Sequence, residues 1–178
     1  MVTRAASTGR LVADRLWLGV DPGAPSATSP GTHGWCLLVH RPGKRALFQA
    51  AGHVEATPID LLRQIGAFEA MAVEMPLVIH NPKAIRQVLA TRGAAGTFAG
   101  IGQERGLPVV EIHPGKWRGT LCHNSSPTDA MVKRAIGLHV EGWPTRSNSH
   151  MRDAAGVALV AMLRWRPTAP TPSPEAAR

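Results

Sequence analysis

LWLGVDPG, Leu16–Gly23, decides the fold. Apolar residues run up to Asp21, and Pro22-Gly23 then forces a turn, so the pattern predicts a strand over Arg15–Asp21 with one carboxylate at its tip. Alone, that arrangement fits an ordinary turn-forming aspartate equally well. Two later segments change its weight. MAVEMP, Met71–Pro76, has the same form, wholly apolar before Glu74, as a central strand over Met71–Glu74 should be. His150-Met-Arg-Asp153 opens the last apolar helix, expected from near Ser149 to Trp165.

Working outward, Gly34–His40 and Lys44–His53 read as a second and third strand. Pro42-Gly43 turns between them, making an antiparallel hairpin. The loop 22–33 is long for a strand connection and suits either a cover over a site or a plain surface excursion. Thr57–Phe68 predicts a short helix, with Thr57 as cap and Pro58 in the first turn. Pro82–Arg105 reads as a long helix diluted by Gly93, Gly96, Gly100 and Gly102. Pro108–Ile112 is a fifth strand, and a further helix begins at Pro127 or Thr128 and runs to about Glu141. The order β-β-β-α-β-α-β-α-α predicts an α/β fold. Its mixed five-stranded sheet has strands one to three antiparallel, strands four and five parallel to strand one, and helices flanking it.

With 178 residues, 44% of them hydrophobic, the chain can bury a single core, expected over residues 15–166. Residues 1–14 read as a flexible tail, and 167–178, with four prolines, as a disordered one. The formal charge of +8 favours a polyanionic partner, nucleic acid above all, over an ordinary basic protein. Cys36 and Cys122 need not be bonded, which suits a reducing compartment. No apolar run is long enough for a bilayer, and the amino terminus lacks a secretory signal's apolar stretch. The expected location is cytoplasmic or nucleoid-associated, with an organellar presequence as the alternative.

Asp21 and Glu74 come together if their strands are parallel neighbours. His150 and Asp153, three apart, share one helix face. Alanine and glycine at 154, 155, 156, 158 and 161 allow that helix to lie close on the sheet. Bringing three carboxylates together costs desolvation and repulsion unless cations join them. Oxygen donors with one imidazole favour Mg²⁺ or Mn²⁺. Each residue has a plainer reading: a turn for Asp21, an arginine partner for Glu74, a helix-dipole contact for Asp153, a packed or solvated histidine for His150. Their joint occurrence makes these less attractive. His113 and His123 lack the companions of a zinc site.

GVDPG followed by GWCLLV, then AVEMP and HMRDAAGVALVA, resembles the RuvC-type Holliday junction resolvases of the ribonuclease H-like superfamily, in a divergent, phage-like form. The resemblance spans roughly Leu16 to Trp165. It implies a ribonuclease H-like fold with Asp21, Glu74 and Asp153 as catalytic metal ligands and His150 as the fourth catalytic residue. Two Mg²⁺ or Mn²⁺ ions sharing Asp21 would cut phosphodiesters to 5′-phosphate and 3′-hydroxyl ends. The implied partners are branched DNA, in particular a four-way junction, and a second copy in a homodimer, for which the small residues of the long helix would leave room. The chain departs from the family in its longer 22–33 loop, in Leu77 where an aromatic wedge is usual, and in HPGKWRGTLCH after the fifth strand.

Lys116, Trp117 and Arg118 are expected to contact phosphates and stack a base, against the plainer reading of Trp117 as a core cap. Lys83, Arg86, Lys133, Arg134, Arg146 and Arg152 extend the candidate DNA surface. Competing readings are a related nuclease acting on other branched DNA or on RNA, and a noncatalytic junction binder, which need not keep four such residues. An actin-like ATPase is disfavoured by length and by the lack of a second Gly-rich phosphate turn.

Overall fold

The structure, a computed structural model, describes residues 14–77 and 84–165. Lys83 and the expected tail at 167–178 lie outside the described residues, as does the expected N-terminal tail except Asp14. The elements are β1 Arg15–Asp21, β2 Thr32–His40, β3 Ala46–Glu55, α1 Pro58–Ile65, β4 Ala70–Glu74, α2 Ile85–Glu104, β5 Val109–Ile112, α3 Pro114–Cys122, α4 Asp129–His139, β6 Val140–Glu141 and α5 Ser149–Arg164. They form one mixed sheet in the order β5-β4-β1-β2-β3-β6, flanked by helices. β1, β2 and β3 are antiparallel, and β4 and β5 run parallel to β1, as expected.

Two elements were not expected. Among the described residues the sheet has six strands rather than five, because α4 ends at His139 and Val140-Glu141 pairs in parallel with Ala46-Leu47. Arg45 fixes this edge by donating to the carbonyls of Gly137 and Val140. α3 occupies the stretch after β5. Pro114 starts it, and Trp117 and Leu121, one turn apart, are its buried residues. α1 stops short of Phe68 because Gly66, at φ 83°, closes it.

Strand alternation divides the sheet's two faces. Trp17, Ala70, Ala72, Cys36 and Leu38 point to the face covered by α3, α4 and α5. Leu18, Val20, Met71 and Val73 point to the face covered by α1 and α2, where Phe98 is buried. Trp17 and Gly19 precede Asp21 in the same alternation, and Ala70 and Ala72 precede Glu74. Both carboxylates therefore belong to the α5 face. Pairing of Val20 with Val73 makes Asp21 and Glu74 the next residues along two adjacent parallel strands.

The α5 face is closed by small residues. A Cβ at Gly19 would run into the Ala154 carbonyl, and one at Gly34 into the His150 backbone. Gly156 leaves room for the Trp117 ring in the same way. This close approach sets the first turn of α5 against the tips of β1 and β4.

Candidate active site

α5 is started by Asn148, whose side-chain oxygen accepts from the Met151 N–H at 2.8 Å. The cap fixes where the first turn points. His150 Nδ1 donates to Asp21 Oδ2 at 2.7 Å. Asp153 lies one turn further, 2.6 Å from Arg118 Nη2. Glu74 accepts a hydrogen bond from Trp117 Nε1 at 2.7 Å. The four residues singled out by the sequence thus meet at one end of the sheet, held by partners from α3 and α5.

The electrostatics reflect crowded negative charge. Burial pushes the Glu74 carboxyl up to about 8, the nearby Asp21 and Asp153 add to the shift, and the Trp117 hydrogen bond and Arg118 oppose it. Burial also raises Asp153, outweighing its ion pair with Arg118, with Asp21 adding to the rise. His150 is raised above the usual histidine value chiefly by its hydrogen bond to Asp21.

Three carboxylates and an imidazole suit a hard divalent cation. As they stand, however, the side chains are turned onto protein donors. Among the described residues no group of three or more His, Cys, Asp or Glu forms a ready-made metal cage. The donor chemistry fits a divalent cation, while the side chains need to turn before they converge on one.

Trp117, expected to stack a base, is entirely buried against Gly156 and donates to Glu74. An indole packed on both faces has none left for a nucleotide. Arg118 is likewise turned inward, bridging Asp153 and, at 3.3 Å, Asp129. Of the other basic candidates, Arg86, Lys116, Lys133, Arg134 and Arg146 are exposed, whereas Arg152 is partly buried and donates to the Ser147 carbonyl at 2.6 Å.

Two histidines near the site have roles the sequence did not indicate: His113, weighed there only as a zinc ligand, and His33. His113 Nδ1 donates to the Met75 carbonyl at 2.6 Å, tying the start of α3 to the residue after Glu74. His33 is fully buried, accepts the Gly23 N–H on Nδ1 at 3.0 Å, and meets Phe98 edge-on. It anchors the start of the 22–31 loop immediately beyond Asp21. Its sequence signal was the unusual histidine at the mouth of an apolar strand.

Among the described residues no helix is long and apolar enough to cross a membrane. No protein-family model matches the chain, and no curated protein matches it. Solved structures similar to it include two of RuvC. One is T. thermophilus RuvC in complex with a Holliday junction substrate, 18% identical over 82% of this chain and 91% of that one, with a TM-score of 0.62. The other is a Thermus thermophilus RuvC structure, also 18% identical, covering 81% of this chain and 91% of that one, with a TM-score of 0.57. At that identity the likeness speaks to architecture, and with the sheet order and flanking helices it gives the conclusion: this chain has a ribonuclease H-like fold of the kind found in RuvC.

Proposed function

We propose that this protein is a metal-dependent endonuclease that cuts branched DNA, resolving four-way junctions by paired symmetric nicks that leave 5′-phosphate and 3′-hydroxyl ends. The observation that carries this reading is the meeting of Asp21, Glu74, His150 and Asp153 at the end of the α5 face of the sheet. Asp21, Glu74 and Asp153 are assigned as ligands of Mg²⁺ or Mn²⁺, with two ions per site and His150 as ligand or as orienter of Asp21. The bound cations supply Lewis acidity toward water and the phosphodiester. Trp117 orients Glu74 through one of its oxygens. Exposed Lys116, Lys133, Arg134 and Arg146 lie on α3, on α4 and before α5, and supply phosphate contacts, with Arg86 on α2.

A second copy completes the reading, since a four-way junction presents two symmetric strands. On α2, Ile85 and Leu89 are exposed, and Gly93, Gly96 and Gly100 continue their line with open space beyond each Cα. That stripe suits an isologous contact with the same stripe of another protomer. Sedimentation should give a dimer, and Gly96→Trp should give a folded monomer.

The deciding experiment incubates purified protein with labelled four-way, three-way, flap and linear duplex DNA in Mg²⁺ or Mn²⁺. Paired nicks at symmetric positions of the four-way substrate are expected. Asp21→Asn should abolish cleavage and leave DNA binding largely intact, so near-normal nicking by that variant would sink the assignment. Cutting confined to flaps or to RNA would move the substrate to that class.

A further inference from the structure

The Trp117-Arg118 pair on α3 grips two of the three carboxylates, and the two grips differ in kind. Trp117 offers Glu74 a neutral donor at 2.7 Å, which leaves the carboxyl free to carry charge or a proton. Arg118 offers Asp153 a full positive charge at 2.6 Å, on a carboxylate that would serve a divalent cation as ligand. Asp153 is only 15% exposed and Arg118 28%, so this contact is shielded from water. Arg118's other arm reaches Asp129 at 3.3 Å, which is 73% exposed and hence a weak surface pairing. One prong is strong and inside; the other is loose and outside.

We propose that Arg118 is the resident counter-cation of this site: it neutralises Asp153 while no divalent cation is bound and must release that carboxylate when one binds. The proposal rests on the reading of the site as metal-binding. A guanidinium and a divalent cation are both positive and would both draw on the charge of the Asp153 carboxylate, so occupancy by one opposes occupancy by the other. Arg118 also faces Glu74 through space, and its charge holds that carboxyl down. Departure of Arg118 from Asp153 leaves it held by Asp129 and by the Trp117 ring, 5.2 Å from its guanidinium carbon. The consequence is a raised threshold for metal loading: the protein spends part of each cation's binding free energy on displacing its own arginine.

The test measures binding rather than cleavage. Free Mn²⁺ is counted by electron paramagnetic resonance in titrations of the full chain, for wild type, Arg118→Gln, Arg118→Lys and Asp21→Asn, beside thermal melts in EDTA. Arg118→Gln should melt below wild type in EDTA yet bind Mn²⁺ with a Kd about tenfold lower. Arg118→Lys keeps the charge but loses the two-pronged reach, and its Kd should fall between the two. Should Arg118→Gln fail to fold, Arg118→Lys decides alone. A Kd within twofold of wild type in the folded variant overturns the proposal and makes Arg118 a structural tie. If wild type binds no Mn²⁺, or Asp21→Asn binds it as wild type does, the metal reading itself falls and takes this proposal with it.

Discussion

The contact between α5 and the sheet and the outward side of α2 use glycine in opposite ways. On the α5 face, Gly19, Gly34 and Gly156 are spaces that neighbouring atoms already fill. On α2, which covers the other face, Gly93, Gly96 and Gly100 have nothing within reach of a Cβ. The first set exists because α5 must come close enough to bring His150 and Asp153 to the strand tips. The second set packs against nothing among the described residues. Composition alone could not tell these apart; the difference lies in what stands opposite each glycine.

The largest effect should come from filling the closed face. Gly19→Val or Gly34→Val should cost about 3 kcal/mol or more in urea unfolding, since the obstructing atoms include α5 backbone rather than only flexible side chains. If either variant unfolds like wild type, α5 does not lie as close as described. Next comes the ring that closes the same face from α3. Trp117→Phe should cost about 2 kcal/mol, combining lost volume with a lost hydrogen bond. It should also push the Glu74 carboxyl further up, because the indole is one of the groups holding it down. Infrared titration of the carboxyl band checks that direction.

The faces also hold histidines of opposite sign. His150, on the α5 side, is raised by Asp21. Its pairing stabilises the metal-free protein fully below the ordinary histidine value of 6.5 and is lost as pH rises through the higher folded value. His33, against α2, is lowered by burial, with Ala56 and Asp21 opposing. Its neutral packing is fully favourable above 6.5 and is lost as pH falls below that value. Imidazole proton NMR in EDTA should therefore show midpoints on either side of 6.5, and two histidines titrating together would remove the distinction. The smallest effect belongs to the open stripe. Gly96→Ala should raise protomer stability by about 0.5–1 kcal/mol, because it removes backbone freedom from the unfolded chain and meets no obstacle.

How much of this was legible depends on whether the cause is local. β1 is bounded as read because an apolar run and a Pro-Gly turn mark both ends. Asp21 and Glu74 could be placed together because each ends an apolar strand and the pairing of those strands was the only missing fact. α5 showed itself through its alanines. By contrast, β6 exists because Arg45 and Ala46, nearly a hundred residues away, meet the end of α4. α3 carries only Trp117 and Leu121 as buried positions between glycines and charges, too few for a period to emerge. Lys116-Trp117-Arg118 looks like a nucleic-acid grip in one dimension. In three, the helix turns Trp117 and Arg118 toward the carboxylates and leaves Lys116 outside.

The hydrogen bond between Asp21 and His150 spans 129 residues of chain. Asp21 and Glu74 are made before α5, but neither has its final neighbours until that helix docks, because His150 and Asp153 both lie on it. During synthesis the first strands can pair early, while the carboxylate cluster is completed late, after most of the sheet is in place. A nascent chain stalled before α5 would therefore carry an unfinished cluster beside a sheet whose α5 face is still uncovered.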